Sequence, residues 1–221
     1  MYRLVRTRRK TIALVIERDG SLTVRAPLRA SQADIERLVA AKSGWIADKQ
    51  AWMRQLPPPP APHRYLPGEL FYFQGTAHPL HIAHGPQSQP LRLADDGFHL
   101  AEQHLERAAA LFERWYRGQA RRLLAGRVAE LARRYQCQPG SLRITAARSR
   151  WGSCGVKGNL NFSWRLVMAP PAVIDYVIVH ELAHLKIRNH SRAFWALVAA
   201  WMPDYPAHKA WLKQNGGILM A

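Results

Sequence analysis

Hydrophobic and polar positions near the start of the chain predict two short strands followed by a helix. Residues 11–16 and 22–24 are rich in β-branched side chains, and the Asp-Gly pair between them is typical of a hairpin turn. Apolar residues then recur at helical spacing over residues 35–53. We therefore expect residues 1–56 to form a β-hairpin and a single helix.

A proline-rich stretch follows and separates this region from a second set of strands. Residues 57–64 contain five prolines, which favour a stiff, extended polyproline connector. Between residues 65 and 100, short segments of alternating polarity are broken by Gly, Pro and an Asp-Asp-Gly sequence. This pattern predicts a small antiparallel β-meander.

The remaining residues, 101–221, combine helical and strand patterns. An amphipathic pattern predicts a long helix over about residues 101–135. Residues 142–147 and 159–164 are predicted strands with a glycine-rich turn between them, and a continuous apolar run around residue 180 predicts a buried helix. Further helices follow towards the C-terminus. The fold class is therefore predicted to be α+β.

The charge of the chain is unusual for a globular protein. It carries 32 Lys and Arg against 15 acidic residues, a formal net charge of +17, which attracts nucleic acid, anionic lipid or acidic protein. Arg114, Arg117 and Arg121 share one face of the predicted long helix. They are candidates for weak contacts with nucleic-acid phosphates, without sequence preference, and the alternative is an ordinary solvated helix face.

Cysteine content and hydropathy indicate the setting in which the protein works. There are two cysteines and no Cys-x-x-Cys pair, so a disulfide framework is not expected. The basic N-terminus lacks the apolar core of a signal peptide, and no apolar run approaches the ~20 residues of a membrane span. We expect a cytoplasmic protein with no membrane partner. The oligomeric state is left open.

The strongest candidate chemistry lies in residues 175–195, which read DYVIVHELAHLKIRNHSRAFW. His180 and His184 are four residues apart, so a helix places both imidazoles on one face, where they can share a metal ion. Glu181 projects about 100° around the axis, where it can act as a general base on a metal-bound water without ligating the metal. The motif therefore proposes a metal site and a base together.

His190 is the candidate third ligand. It follows His184 by six residues and can return to the metal only if the helix ends between them. Asn189 is expected to make the break, because Asn tolerates the left-handed conformation found at helix ends. Three neutral imidazoles with one open position are typical of catalytic Zn²⁺, so we expect one Zn²⁺ per chain.

The substrate, and the side chain that assists the metal by stabilising the transition state (the second electrophilic group), are predicted less directly. Polypeptide is the expected substrate, lying extended along the strand at residues 159–164 by strand addition. The proposed substrate-binding residues there are Asn159, Asn161 and Trp164. The candidates for stabilising the transition state opposite the metal are Tyr205, His208 and Arg165.

Three sequence blocks resemble the YgjP-like metallopeptidase family. They are SRWGSC at residues 149–154, LNFSWRLVMAPP at residues 160–171 and HELAHLKIRNHSRAFW at residues 180–195. The resemblance implies a zinc-dependent peptidase with a minimal zincin-like core, distantly similar to the SprT-like proteases that act on DNA–protein crosslinks. It implies the same ligands, His180, His184 and His190, and the same base, Glu181.

The alternative function is a basic nucleic-acid-binding module with a structural zinc site. Structural zinc is usually four-coordinate, and Cys154 is the candidate fourth ligand. A non-ligating carboxylate beside the metal has no purpose in such a site. Glu181 therefore favours the enzyme.

Overall fold

The computed structural model describes residues 2–17, 19–55, 61–85 and 89–219. The chain forms two compact units, Met1–Pro58 and Pro59–Ala221. The first half of the predicted polyproline connector, residues 57–60, lies outside the described residues.

The first unit contains a three-stranded sheet in the order β1-β3-β2. Strands β2 and β3 pair in antiparallel fashion, as the predicted hairpin requires, while β1 adds to β3 in parallel. The strands span β1 (Arg3–Thr7), β2 (Ala13–Ile16) and β3 (Leu22–Pro27).

Two helices cover this sheet where the sequence pattern predicts one. They are α1 (Gln32–Ala41) and α2 (Ser43–Gln55), separated at Lys42. Ile35 of α1 and Val24 of β3 are both fully buried in the small core of this unit. Hydrophobic spacing continues across the one-residue break, which is why the break has no signature in the sequence.

The second unit begins with a four-stranded sheet in the order β4-β5-β7-β6. Its strands are β4 (Leu70–Phe73), β5 (Thr76–Ala83), β6 (Leu91–Ala94) and β7 (Gly97–Ala101). Strands β4 and β5, and β6 and β7, pair in antiparallel fashion as predicted, but β7 pairs with β5 in parallel, so the sheet is mixed and not antiparallel throughout. Gly97 permits this close pairing, because a β-carbon there would lie 2.3 Å from the carbonyl oxygen of Pro79.

A long helix, α3 (Ala108–Arg134), packs against this sheet after a short 3₁₀ turn at Glu102–Arg107. Its buried side chains include Phe112 and Tyr116, and the Tyr116 hydroxyl donates a 2.7 Å hydrogen bond to the carbonyl oxygen of Tyr72 in β4. The helix therefore lies at the centre of the larger hydrophobic core and contributes many of its buried side chains.

A second small sheet follows, with strands β8 (Leu142–Thr145), β9 (Gly152–Cys154) and β10 (Leu160–Ser163). The order is β8-β10-β9, with β10 parallel to β8 and antiparallel to β9. Strand β9 lies in the stretch predicted as a turn. The sheet is mixed, and its central strand is the one that the sequence places just before the metal-motif helix.

Three helices complete the unit: α4 (Pro171–Ala183), α5 (Arg192–Trp201) and α6 (Tyr205–Leu219). Helix α4 is buried on nearly every side, and Arg127 of α3 forms a two-pronged ion pair with Asp175 near its start. The predicted α+β class and the predicted order of long helix, small sheet, motif helix and C-terminal helices are confirmed. None of the helices in the described ranges is long and apolar enough to cross a membrane.

Candidate active site

Three histidines from two parts of the chain converge at the end of α4. Each of His180, His184 and His190 offers one ring nitrogen, and these three atoms lie within 4.8 Å of one another. The Nε2 atoms of His180 and His190 are 3.0 Å apart. Among the described residues, this is the only group of three or more metal-ligating side chains with such spacing.

The chain turns back because α4 ends before His184. The backbone amide of Leu185 donates to the Leu182 carbonyl, and that of Lys186 to the Ala183 carbonyl. These bonds span three residues, so the last turn is tightened to 3₁₀ geometry and the helix does not continue. The predicted break at Asn189 is wrong: that residue does not adopt a left-handed conformation. Its side-chain oxygen instead accepts from the Ser191 amide, and Ser191 caps α5.

Local contacts keep two of the imidazoles neutral. Burial, together with the neighbouring histidines and Lys209, lowers the pKa of His180 to about 3. Burial also lowers the pKa of His184. The Nδ1–H of His184 can donate to the Ile187 carbonyl oxygen at 3.1 Å, which leaves Nε2 with a free lone pair for a metal.

This donor set fits a zinc ion. Neutral imidazole nitrogens are common zinc ligands, and three protein donors leave the fourth position open for chemistry. The 3.0 Å approach of two ring nitrogens, each aimed at the other, is the arrangement that a shared cation would stabilise. The residues present are therefore sufficient to hold the metal.

Glu181 lies beside this cluster without belonging to it. Its side chain is only 6% exposed. Burial raises the pKa of Glu181 to about 7, and a hydrogen bond from the backbone amide of Cys154 acts in the opposite direction. A β-carbon at Gly152 would lie 2.8 Å from Oε1 of Glu181, so the carboxylate rests directly on the backbone of β9.

Strand β9 has a free edge beside this carboxylate. The Trp151 carbonyl accepts from Ser163 and the Gly155 amide donates to Asn159, so these residues face β10. Because backbone groups alternate in direction along a strand, Gly152 and Cys154 direct theirs away from β10. The Cys154 amide faces the Glu181 carboxylate, and the carbonyl groups and the Gly152 amide on this edge are not paired with another described strand. Among the described strands, β9 pairs on one side only.

The family model for the YgjP-like metallopeptidase domain matches residues 10–215. This chain belongs to that family. A YgjP-like metallopeptidase domain is a metal-dependent hydrolase, and the family implies a catalytic metal, in agreement with the three converging histidines.

Two further proteins are similar to this YgjP-like domain over part of its length. The UTP pyrophosphatase of Escherichia coli (strain K12) is 31% identical over 64 residues, which are 29% of this chain and 38% of that protein. The match thus spans well under half of the curated relative. The metallopeptidase zymogen of Methanocaldococcus jannaschii jannalysin overlaps 41% of this chain and 94% of its own, with 18% identity and a TM-score of 0.38.

The YgjP-like domain does not offer the strand that we predicted for substrate. Residues 160–163 form β10, which pairs with β8 on one side and β9 on the other, so its backbone cannot accept an added strand. Asn159 accepts a hydrogen bond from the Ser141 amide, and Asn161 donates to Ser153. Trp164 is buried and stacks on Tyr116. Strand addition at this site is therefore wrong, and the open edge is that of β9.

The three candidates for the second electrophilic group occupy different surroundings. Tyr205 stacks on Trp195, with ring centroids 5.5 Å apart, and on Tyr176 at 6.3 Å. His208 lies 6.5 Å from Tyr176 and contacts Asp204. Arg165, in contrast, is buried over the Trp164 ring, and the charges that act on it come from α3 and Arg148.

Sequence reasoning missed several residues that surround the histidines. Tyr176 and Trp195 both contact the His180 ring, at 6.1 and 5.7 Å between centroids. Lys209 places its ammonium 3.9 Å from the centroid of the Trp195 ring. The sequence could have indicated Tyr176, because it lies four residues before His180 and therefore on the same helix face. No sequence pattern could have indicated Lys209, because its contact with Trp195 depends on how α6 packs.

Arg188 is a further residue without a sequence signal. Its guanidinium donates 2.8 Å hydrogen bonds to the carbonyl oxygens of Gly155 and Val156, in the turn after β9. It also lies 3.7 Å from the Cys154 sulfur. Arg188 thereby links the segment between His184 and His190 to the strand that supports Glu181.

The three arginines predicted to share one face of the long helix differ in exposure and in ion pairing. Arg114 and Arg121 are exposed on α3, whereas Arg117 is partly covered and forms an ion pair with Glu113 at 2.7 Å. The three residues therefore do not present equivalent free charges.

Proposed function

We propose that this chain is a zinc metallopeptidase that cleaves peptide bonds in extended polypeptide, with one Zn²⁺ held by His180, His184 and His190. The observation that carries the proposal is the position of Glu181. It is buried next to the three imidazoles but outside the group of ligand atoms. A structural metal site gives no reason to bury a carboxylate there.

The chemistry assigned to the protein is proton transfer by Glu181. A zinc ion bound there would supply a Lewis acid that activates water and polarises the scissile carbonyl. Glu181 removes a proton from the attacking water, holds it on a carboxylate oxygen, and passes it to the departing amine nitrogen. Burial raises the pKa of this carboxyl to about 7, close to the value that suits a base and acid working at neutral pH.

The free edge of β9 is the proposed binding surface for substrate. A polypeptide that pairs with the backbone of Gly152 and the carbonyl of Cys154 would run past Glu181, because Gly152 contacts that carboxylate and the Cys154 amide faces it. Strand addition relies on main-chain hydrogen bonds and tolerates many sequences, provided the substrate is unfolded. For the second electrophilic group we favour Tyr205, whose ring lies against Tyr176 and Trp195, two residues that contact His180.

The structural-zinc alternative depends on Cys154 as a fourth ligand. Within the described residues, the cluster of ligand atoms contains the three histidines and not this sulfur. The pKa of Cys154 is raised, chiefly by burial, which favours the thiol over the metal-binding thiolate. Its neighbours at hydrogen-bonding distance are Arg188 and the Gly155 carbonyl. These observations support the catalytic site.

The proposal is tested by incubating the purified protein with a reduced, unfolded polypeptide and mapping new termini by mass spectrometry. We expect cleavage of the unfolded chain, loss of cleavage after treatment with a chelator, and recovery when zinc is added back. The same polypeptide in its folded form serves as the control and should be cut far more slowly. Equal cleavage with and without the chelator would refute the metal dependence.

A second candidate function is hydrolysis of the pyrophosphate linkage in a nucleoside triphosphate. It is favoured by the 31% identity with a UTP pyrophosphatase. The positive charges of Arg188 and Lys209 near the histidines would also suit a triphosphate. The same base could direct water at phosphorus instead of a carbonyl carbon.

Parallel assays separate the two candidates. Pyrophosphate release from UTP and cleavage of unfolded polypeptide are measured on the same zinc-loaded preparation, each with the Glu181→Gln variant as control. Turnover of polypeptide alone supports the peptidase, and turnover of UTP alone supports the pyrophosphatase. Activity that is undiminished in the Glu181→Gln variant does not depend on the proposed base and supports neither candidate.

A further inference from the structure

A cleft of about 650 Å³ lies between the four-stranded sheet and the long helix α3, away from the histidine cluster. Its walls come from β4, β6 and one face of α3, all within the larger unit, and they include none of the three metal-motif histidines. The volume is in the range of sites that bind small organic ligands, roughly 300–1,000 Å³. The metallopeptidase chemistry proposed above makes no use of this cleft.

Three arginines give the cleft a strong positive charge. Arg92 comes from β6, and Arg114 and Arg122 lie about two turns apart on α3. No acidic side chain lines the cleft among the described residues. Within that same part of the chain, none of the three guanidinium groups has a hydrogen-bond or ion-pair partner. Three free arginines that converge on one concavity are suited to bind phosphate groups.

Two aromatic side chains and a glycine also line the cleft. Phe73 and Trp115 both line it, and their rings pack edge to face with centroids 5.1 Å apart. Gly118 lies on α3 between the two arginines, and a β-carbon added there would meet no atom within 4 Å. The missing side chain leaves open space beside the aromatic rings. An aromatic ring of a ligand could lie there while its phosphates reach the arginines.

We propose that this cleft binds a nucleotide unit, with the base against Phe73 and Trp115 and the phosphate on Arg92, Arg114 and Arg122. The combination of aromatic surface and unpaired guanidinium groups selects this chemistry over a simple inorganic anion or an acidic peptide. The nucleotide could be free in solution or part of a single-stranded nucleic acid, since both present the same base and phosphate.

The test is a fluorescence anisotropy titration with a fluorescein-labelled oligothymidylate of about ten nucleotides, and with unlabelled AMP and inorganic pyrophosphate as competitors. The Arg114→Gln/Arg122→Gln variant should bind at least about tenfold more weakly than the wild type. Its plot of log K against log salt should also be shallower by about 1.4, the loss of two phosphate contacts on a single strand. The matched control is Arg133→Gln/Arg134→Gln, which removes two charges from the far end of the same helix.

Each outcome decides the proposal. Competition by AMP supports a free nucleotide as ligand, and binding of the oligonucleotide without competition by AMP supports single-stranded nucleic acid. No binding by the wild type would overturn the site. Equal weakening in the control variant would assign binding to general surface charge. Competition by pyrophosphate as strong as that by AMP would contradict the role of the aromatic surface.

A cleft-filling variant keeps the test independent of charge and of folding. Gly118→Leu places a side chain in the open space and also replaces glycine with a better helix former. It should weaken binding of the labelled oligothymidylate at least about tenfold while leaving the fold intact. Gly126→Leu is the matched control, because Gly126 lies on the same helix, also meets no atom within 4 Å of an added β-carbon, and is outside the cleft. Unchanged nucleotide binding in Gly118→Leu would refute the assigned location.

Discussion

The carboxylate of Glu181 rests on the backbone of Gly152, where a β-carbon would come within 2.8 Å of Oε1 and 2.7 Å of Cγ. This contact joins the motif helix α4 to the edge strand β9. It fixes the carboxylate beside the histidines and, at the same time, beside the strand edge proposed to bind substrate. The position of the base therefore depends on the absence of one side chain.

Gly152→Ala should disable the base without removing the metal ligands. The added methyl group must displace Glu181, and a misplacement of about 1 Å can cost about 10²-fold in rate. We expect kcat to fall by about that factor while zinc content stays at the wild-type level. Gly155→Ala is the control, since a β-carbon there makes only ordinary contacts, at 3.6 Å or more, and should be tolerated. Wild-type kcat in Gly152→Ala would contradict the proposed role of this contact.

Arg188→Ala should loosen the segment that carries His190. Its guanidinium makes two 2.8 Å hydrogen bonds to the turn after β9, and the same segment supplies the Ile187 carbonyl that orients His184. Loss of groups that orient metal ligands typically lowers metal affinity by about 10–100-fold. Zinc affinity is measured by competition with a chromophoric chelator.

Lys186→Ala is the control for the arginine. It removes a basic side chain from the same segment, but that side chain makes a single 3.3 Å hydrogen bond, to the Gln136 carbonyl. Arg188→Lys should recover little, because one ammonium cannot reproduce the forked geometry. If the two alanine variants bind zinc with equal affinity, the linking role assigned to Arg188 is wrong.

His190→Ala should bind zinc much more weakly than the wild type, because only two imidazoles remain. The residue is partly supported by its own ring contacts, with Phe194 at 4.9 Å and Trp195 at 5.8 Å, and its loss should leave most of the fold intact. Metal content of the purified variant is compared with that of His208→Ala, which removes a histidine outside the cluster. Full zinc occupancy in His190→Ala would require a different third ligand.

The ionisation of Glu181 should make the stability of the metal-free protein depend on pH. Burial raises the pKa of its carboxyl to about 7, from an ordinary value of 4.5. The folded state therefore holds a proton that the unfolded state releases, and the resulting stability is complete below pH 4.5 and lost as the pH rises through 7. The contribution is at most about 3 kcal/mol. His180 has the opposite effect, because its pKa is lowered to about 3, and stability is lost as the pH falls from 6.5.

Comparison with Glu181→Gln isolates the first of these two effects, since glutamine stays neutral and His180 is present in both proteins. The free energy of unfolding is measured by urea titration in the presence of a chelator at pH 5 and pH 8. The wild type should lose stability relative to the variant between those values. A difference between the two proteins that is the same at both pH values would show that Glu181 ionises as an ordinary carboxyl.

The motif helix could be predicted because its chemistry and burial are local properties of the sequence. His180, Glu181 and His184 are fixed relative to each other by helical geometry alone. The return of His190 was also foreseen, but the residue responsible for the turn was not. The helix ends at Ala183 through tightened backbone hydrogen bonds, which depend on the packing of the last turn and have no side-chain signature.

Strand order could not be predicted, and this caused the main error at the site. The sequence identifies β8 and β10 by their apolar alternation, but it does not show that the Gly-Ser-Cys segment between them forms β9 and pairs with β10. The same limit explains the parallel pairing of β5 with β7. Neighbours in a sheet are chosen by tertiary packing, so the free edge beside Glu181 becomes visible only in three dimensions.

The most direct test of a zinc peptidase with Glu181 as its base is the activity of zinc-loaded Glu181→Gln on an unfolded polypeptide, measured together with its metal content. The account predicts zinc equal to that of the wild type and a fall in turnover of about 10²–10⁴-fold. Full turnover with full zinc content would contradict it, because the buried carboxylate beside the histidines would then have no part in the reaction.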